Sequence, residues 1–343
     1  MNLHHVLHLQ RKPGFMLLLL LIVALLATAC GATNTPSGSG NEPQNAATEP
    51  APLEAKTRTV VDDLDREVEV PVAPERIVAG EFAPELLTLG IKPIASGDNG
   101  FKVIYTLDEM EGVDRIGDPP NPEKILELDP DLVVAPTVFL EIYPEQMEQI
   151  ALIAPVYYLS FDQDPIHGIF VKLAELVGKS EEAKAWIAEY EQEAEAGRER
   201  LAAAIGDETV SIFRVEKGRL RIYLNRNFAG YMLRSSLQVP APDAVTAEIE
   251  QNPNSSAVQI SMEKLPEFAG DHLFIIVREE GDDRQAFEEI KESGLWNSLD
   301  AVKNGKLHFL ETDKYYGSDI VTIRETMKEA VEMLAPENAD EGK

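Results

Sequence analysis

The chain has 343 residues, with 31 Lys and Arg against 60 Asp and Glu and a formal net charge of -29. That length favours two ordinary domains over one. So acidic a balance argues against nucleic acid as a partner, because phosphate binding needs clustered Lys and Arg, and it reads otherwise as a solvated surface.

The N-terminus carries the strongest local signal. Arg11 and Lys12 precede FMLLLLLIVALLATA, residues 15 to 29. That apolar run falls short of the ~20 residues a spanning helix needs and fits the core of a secretory signal. Cys30, the one cysteine in the sequence, follows directly and so cannot form an internal disulfide. The segment looks like the lipobox of a bacterial lipoprotein, with Ala27 where that motif usually has Leu. The resemblance implies cleavage before Cys30 and lipidation of its thiol. Residues 1–29 are expected to be a signal peptide. Residues 30–57, rich in Gly, Ser, Thr, Pro, Asn and Ala, are expected to be a flexible tether. The folded part is then expected on the extracytoplasmic face of the cell membrane, held by a lipid anchor.

RTVVDDLDREVEVP, residues 58 to 71, reads as a hairpin around a DLDR turn. RIVAG, EFAPELLTLG and IKPIAS follow as strand, helix and strand. PEKILEL is a short helix opened by Pro122, DLVVAP is an apolar strand, and YPEQMEQIALIAPVYYLS repeats that order. Alternating strands and helices imply a parallel sheet covered on both faces. Residues 164–205 turn helical. Gly178 closes one helix and Ser180 is expected to cap the next, whose apolar or small positions Trp186, Tyr190, Ala194, Gly197, Leu201 and Ala204 step by three and four. About 26 residues give ~39 Å, long enough to bridge two domains. TVSIFRVEKGRLRIYL then forms a hairpin turning at Lys217-Gly218, and the α/β order resumes to about residue 335. The expected fold class is α/β: two Rossmann-like lobes with mostly parallel sheets, residues 58–163 and 206–335, joined by one long α-helix with a ligand cleft between them. Residues 336–343 are a tail.

NPEKILELDPDLVVAP, residues 121 to 136, aligns without a gap on SMEKLPEFAGDHLFII, residues 261 to 276. Glu123 meets Glu263 and Asp131 meets Asp271. Together with RIVAG, ELLTLGIKPIA, the long helix, LWNSLDAVKNGKLHFLE and a late Tyr-Gly, this frame resembles the substrate-binding lipoproteins of ABC importers, in the branch with a rigid interlobe helix that takes ferric siderophores, haem or vitamin B12. The resemblance covers essentially everything after the tether. It implies a chain that captures a ferric siderophore, of hydroxamate or citrate-hydroxamate type, and delivers it to an ABC permease dimer. It also implies no intrinsic cofactor, and a monomer is expected. By position, Glu123 and Glu263 are implied to dock on the permease. An acidic residue in a first helical turn is favoured by the macrodipole and stays exposed, so helix formation alone also explains both.

Ligand residues are expected beyond the carboxyl ends of the strands. These are Phe82 beside Glu81, Asp118 after Gly117, Thr137, Tyr143 and Ser255. Tyr316 matches an aromatic-Gly pair of the hydroxamate binders. Arg214 interrupts an apolar strand, which is costly unless it is paired, Arg221 follows after the turn, and Arg278 at the end of FIIVR is a second candidate. Guanidinium forks suit carboxylate, hydroxamate or citrate oxygens, so these three are expected to clamp the complex, or else to form structural ion pairs. Lys102 is a weaker candidate. His167, His272 and His308 lack metal-ligand spacing, so a bare metal ion is not expected, and His272 reads as a core residue. Haem would use Tyr315 or Tyr316. No G-x-S-x-G or Walker A motif and no Ser/His/Asp constellation is present, so an enzyme is not expected. Haem or vitamin B12 binding, or a ligand-sensing lipoprotein without a transport role, are the alternatives.

Overall fold

The structure is a computed structural model that describes residues 56–337, apart from residues 165, 227, 254, 279, 280, 313 and 316. The expected signal segment, Cys30, most of the tether, most of the tail and Tyr316 lie outside the described residues.

Strands β1 (Thr57–Val61) and β2 (Glu67–Pro71) form the expected antiparallel hairpin. Its turn is held by buried Asp62, whose carboxylate accepts from the backbone N–H groups of Leu64 at 3.0 Å and Arg66 at 3.1 Å. The N-lobe then alternates β3 (Ile77–Val78), α1 (Ala83–Thr88), β4 (Ala95–Ser96), β5 (Asp114–Arg115), α2 (Pro122–Leu128), β6 (Leu132–Pro136), α3 (Phe139–Ile142), α4 (Pro144–Ile150) and β7 (Val156–Leu159). Its sheet runs β5-β4-β3-β6-β7, parallel throughout.

Helices α5 (Gly168–Leu176) and α6 (Ser180–Ala204) cross to the second lobe. Ser180 is the first helical residue of α6, not its cap; Lys179 holds the cap position and makes no side-chain cap hydrogen bond. A charged first turn, Glu181 and Glu182, complements the macrodipole there instead. Ala204 is exposed, because the buried stripe of α6 ends at Leu201.

The C-lobe contains β8 (Val210–Glu216), β9 (Arg219–Tyr223), α7 (Phe228–Gly230) running into a π-helical stretch Tyr231–Ser236, α8 (Asp243–Gln251), β10 (Ala257–Gln259), α9 (Leu265–Phe268), β11 (His272–Val277), α10 (Asp283–Glu292), α11 (Gly294–Ser298), α12 (Asp300–Lys303), β12 (Leu307–Leu310) and α13 (Ile320–Leu334). Its sheet runs β10-β9-β8-β11-β12, with β8, β11 and β12 parallel and the other pairings antiparallel.

The period-two rule sorts each central strand between two cores. Leu132 and Val134 of β6 face an inner core, while Val133 and Ala135 face an outer one. In β11, Phe274 and Ile276 go inward and Leu273 and Ile275 outward. The inner core is continuous. It joins Phe82 and Leu86 of the N-lobe, Phe170, Tyr190 and Leu201 of the connecting helices, Ile212 of β8, and Ile323 and Met327 of α13.

The internal repeat has a structural counterpart. Asp131 accepts from the backbone N–H groups of Glu75 and Arg76 at 2.7 and 3.0 Å, pinning the entry to β3. Asp271 accepts from Thr209 N and Thr209 Oγ1 at 2.8 and 2.9 Å, pinning the entry to β8. The preceding helices differ. Asn121 caps α2 through Lys124 N at 3.0 Å, whereas Met262–Lys264 is a 3-10 turn leading into α9.

Candidate ligand-binding site

A cavity of about 350 Å³ lies between the lobes. Its walls come from segments that follow strands. Glu81 and Phe82 follow β3, Asn99 follows β4, Phe161 and Asp162 follow β7, and Gly317 to Asp319 follow β12. The carboxyl edges of both sheets therefore meet there, which is where open α/β sheets bind ligands.

The turn after β3 positions the N-lobe wall. Gly80 has a φ of +52°, and a Cβ there would run into the carbonyl oxygen of Val134. Its own carbonyl accepts from Gly97 N at 2.7 Å and Ser96 Oγ at 2.9 Å. This tight pairing turns the chain directly into α1 and sets Phe82, 1% exposed, against Phe161 with ring centroids 5.6 Å apart. Arg226 reaches across from the C-lobe and donates to Phe161 O at 3.1 Å. Tyr231, at the start of the π-helical stretch, and Ile169 of α5 complete the apolar part.

The acidic groups of the cavity are strongly perturbed. Glu85 of α1 is 4% exposed and reaches the N-terminus of α13, where its carboxyl accepts from Ile320 N–H. Burial first, and then the charge of Asp319, push Glu85 up to about 8. Burial raises Asp319 as well, but Asp319 caps α13, accepting from Thr322 N at 2.9 Å and Thr322 Oγ1 at 2.7 Å. Asp319 therefore has more donors to stabilise its charge, and the proton of the pair rests on Glu85. Burial also raises Glu81, with the Asp118 charge adding to it and the Asn99 hydrogen bond opposing it.

Of the residues expected from sequence, Phe82 lines the cavity. Asp118 and Tyr143 meet, with the phenol donating to the carboxylate, and the Asp118 charge is felt at Glu81. Arg214, Arg221 and Arg278 converge on Glu216 at 3.2, 2.8 and 2.9 Å, and Arg214 also donates to the Tyr223 hydroxyl. Burial alone would raise the Glu216 carboxyl, but the Arg221 hydrogen bond and the neighbouring guanidinium charges hold it below its ordinary range. Arg214 continues the inward row of Val210 and Ile212, and Arg278 continues that of Phe274 and Ile276, so both project at the carboxyl edge where the core ends. The cluster is not among the residues that line the cavity itself.

Thr137 donates its N–H to Leu159 O, and the Ser255 hydroxyl donates to Ala257 O at 3.0 Å; neither lines the cavity. Tyr315 is buried in the inner core and donates to Glu329 at 3.3 Å, so it is not a cavity wall either. His272 is buried as expected, stacked on His308 and bonded to Glu208 at 2.7 Å. Glu123 and Glu263 are exposed, each in the first turn of its short helix, and Ser261 lowers the Glu263 carboxyl. Sequence reasoning missed Glu85, Phe161, Asp162, Tyr231 and Asp319. The acid inside the apolar run APELL and the strand-end position of Phe161-Asp162 were the available signals.

Two α/β lobes on one inner core, with a cavity at their facing carboxyl edges, define a two-lobe solute-binding protein. Residues 85–313 match the family model for periplasmic binding protein, and the chain belongs to that family. It is 28% identical over 334 residues to the iron(3+)-hydroxamate-binding protein FhuD of Bacillus subtilis, covering 95% of this chain and 99% of the relative. It is 25% identical to the iron(3+)-hydroxamate-binding protein YxeB of the same organism, covering 97% and 100%. Among solved structures it resembles a FhuD fold-family periplasmic binding protein component of a Fep/Fec-like ferrichrome ABC transporter from Bacillus subtilis. That likeness has a TM-score of 0.70 and 27% identity, covering 80% of this chain and 99% of the other.

Proposed function

We propose that this chain is an extracytoplasmic solute-binding lipoprotein that captures a ferric siderophore of hydroxamate or citrate-hydroxamate type and delivers it to an ABC permease dimer. The observation that carries this reading is the interlobe cavity with the arginine cluster at the same carboxyl edge, in a chain similar along nearly its whole length to iron(3+)-hydroxamate binders. The mechanism is binding without chemistry. The iron arrives already chelated, so the protein supplies shape, Phe82 and Phe161 as apolar walls, and charged groups that orient the complex.

Cys30 is the lipid attachment point in this account, and the protein acts as a monomer. Glu123 and Glu263 present one exposed carboxylate per lobe to a two-fold receptor. Among the described residues no helix is long and apolar enough to cross a membrane. Calorimetric titration with a ferric hydroxamate, ferric citrate, a ferric catecholate, haem and vitamin B12 tests the reading. Saturable binding of a ferric hydroxamate or citrate-type complex is expected, with iron uptake lost and that binding kept when Glu123→Arg and Glu263→Arg are combined. A response to haem or vitamin B12 alone would overturn it.

A further inference from the structure

The carboxyl edges that form the cleft are electrically divided. On the C-lobe side, the guanidinium groups of Arg214, Arg221 and Arg278 gather around the carboxylate of Glu216. The cavity is the reverse. Glu81, Glu85, Asp162 and Asp319 line it, and Arg226 is the one cation among its described lining residues.

Glu85 makes this more than a surface cluster of acids. It is 96% buried by its 4% exposure, and among the described residues its Oε2 has no hydrogen-bond partner. A buried polar atom without a partner is costly, so a donor that reaches Glu85 Oε2 from the cavity is favoured there. An anion entering there would meet four carboxyl groups against one guanidinium. A neutral alkyl arm would leave Glu85 Oε2 unsatisfied. An ammonium group brings three donors and the opposite charge. Its arrival also counters the burial and the Asp319 charge that together hold the proton on Glu85.

Resting on the siderophore reading above, we propose that the ligand carries a cationic amine arm, seated by Glu81, Glu85 and Asp162, while the arginine cluster faces the oxygen-rich ferric centre. The size of the cavity fits this division. At about 350 Å³ it lies at the small end of the range for drug-sized ligands, so an arm enters it and the bulk of a ferric complex stays in the wider cleft. The specificity is then set by charge on the ligand periphery, not by the iron-chelating groups.

The test compares two ligands with one iron centre. Ferrioxamine B is a ferric trihydroxamate with a terminal ammonium, and its N-acetylated form lacks only that charge. Both are titrated calorimetrically into the purified protein. The ammonium form is expected to bind at least about tenfold more tightly, the scale of one good charge-assisted contact. Glu81→Gln and Asp162→Asn should each shrink that ratio, a readout that general loss of folding does not mimic because misfolding removes both affinities together. Equal affinities, or tighter binding of the acetylated form, overturn the inference and leave the hydroxamate reading standing. Binding of neither complex overturns both.

Discussion

Glu85 shows how one residue couples the cleft to stability. Its carboxyl sits at about 8 in the folded chain against an ordinary value of 4.5. The unfolded chain gives up this proton first as pH rises. Stability from this group is therefore full below about pH 4.5, declines as pH rises to about 8, and stays low beyond that. Burial and the charge of Asp319 set the depth of the effect, and Glu81, Asp162, Arg226 and Tyr231 line the same cavity. Glu85→Gln keeps the size and the acceptor for Ile320 N–H but has no charge to bury. It should melt more than ~2 °C above the parent at pH 8.5 and with it at pH 4.5. Thermal melts that run parallel across this range would contradict the assignment. The sequence revealed this residue poorly, since an acid in APELL looks like an ordinary first-turn carboxylate; its burial comes from α13, more than 200 positions away in the chain. Arg214 was easier to read. A cation within VSIFRV had to be paired, and Glu216, two residues on, supplies the partner.

At the scale of elements, the helix α6 depends on a glycine. A Cβ on Gly197 would meet Leu237 Cδ2 at 2.8 Å and Val331 Cγ2 at 3.0 Å, so its bareness lets α13 and the segment after the π-helical stretch approach. Arg324 of α13 adds paired hydrogen bonds to Glu193 of α6, both at 2.7 Å, and Arg200 of α6 reaches Glu332 at 2.5 Å. Gly197→Val should lower stability by ~1–3 kcal/mol through overpacking. That outweighs the helical-propensity gain of at most ~1 kcal/mol over Gly. Chemical denaturation measures the balance, and an unchanged midpoint would mean the helices can part without cost. The three- and four-residue steps of α6 made this packing face legible, because a buried stripe needs small or apolar residues at that spacing. Its first-turn chemistry was not, since a serine ahead of two glutamates serves equally as cap or as first residue. The repeat of Asp131 and Asp271 was legible for a similar reason: the same β-strand entry must be pinned in each lobe.

The whole molecule is held by one inner core running through both lobes and α13. Tyr105 of the N-lobe adds a hydrogen bond to Glu329 of α13 at 3.3 Å, tying the lobes again. A shared core of this kind disfavours wide hinge motion, because opening the lobes would expose packed apolar surface. The two-lobe plan was readable from strand and helix alternation. The cavity's acidic walls were not, because they come from segments brought together only by that core. A second cavity, about 540 Å³, lies on the outer face of the C-lobe between α10 and β12, lined by Phe287 and Phe309. It is larger than the interlobe cavity, but it belongs to one lobe and lacks the facing strand ends, so we place the ligand between the lobes. Anomalous diffraction from crystals grown with a ferric hydroxamate decides this directly. The iron peak is expected at the facing carboxyl edges, in the cleft between the mouth of the interlobe cavity and the cluster of Arg214, Arg221 and Arg278; a peak on the outer face of the C-lobe, or none in crystals of protein saturated with the complex, would contradict the account.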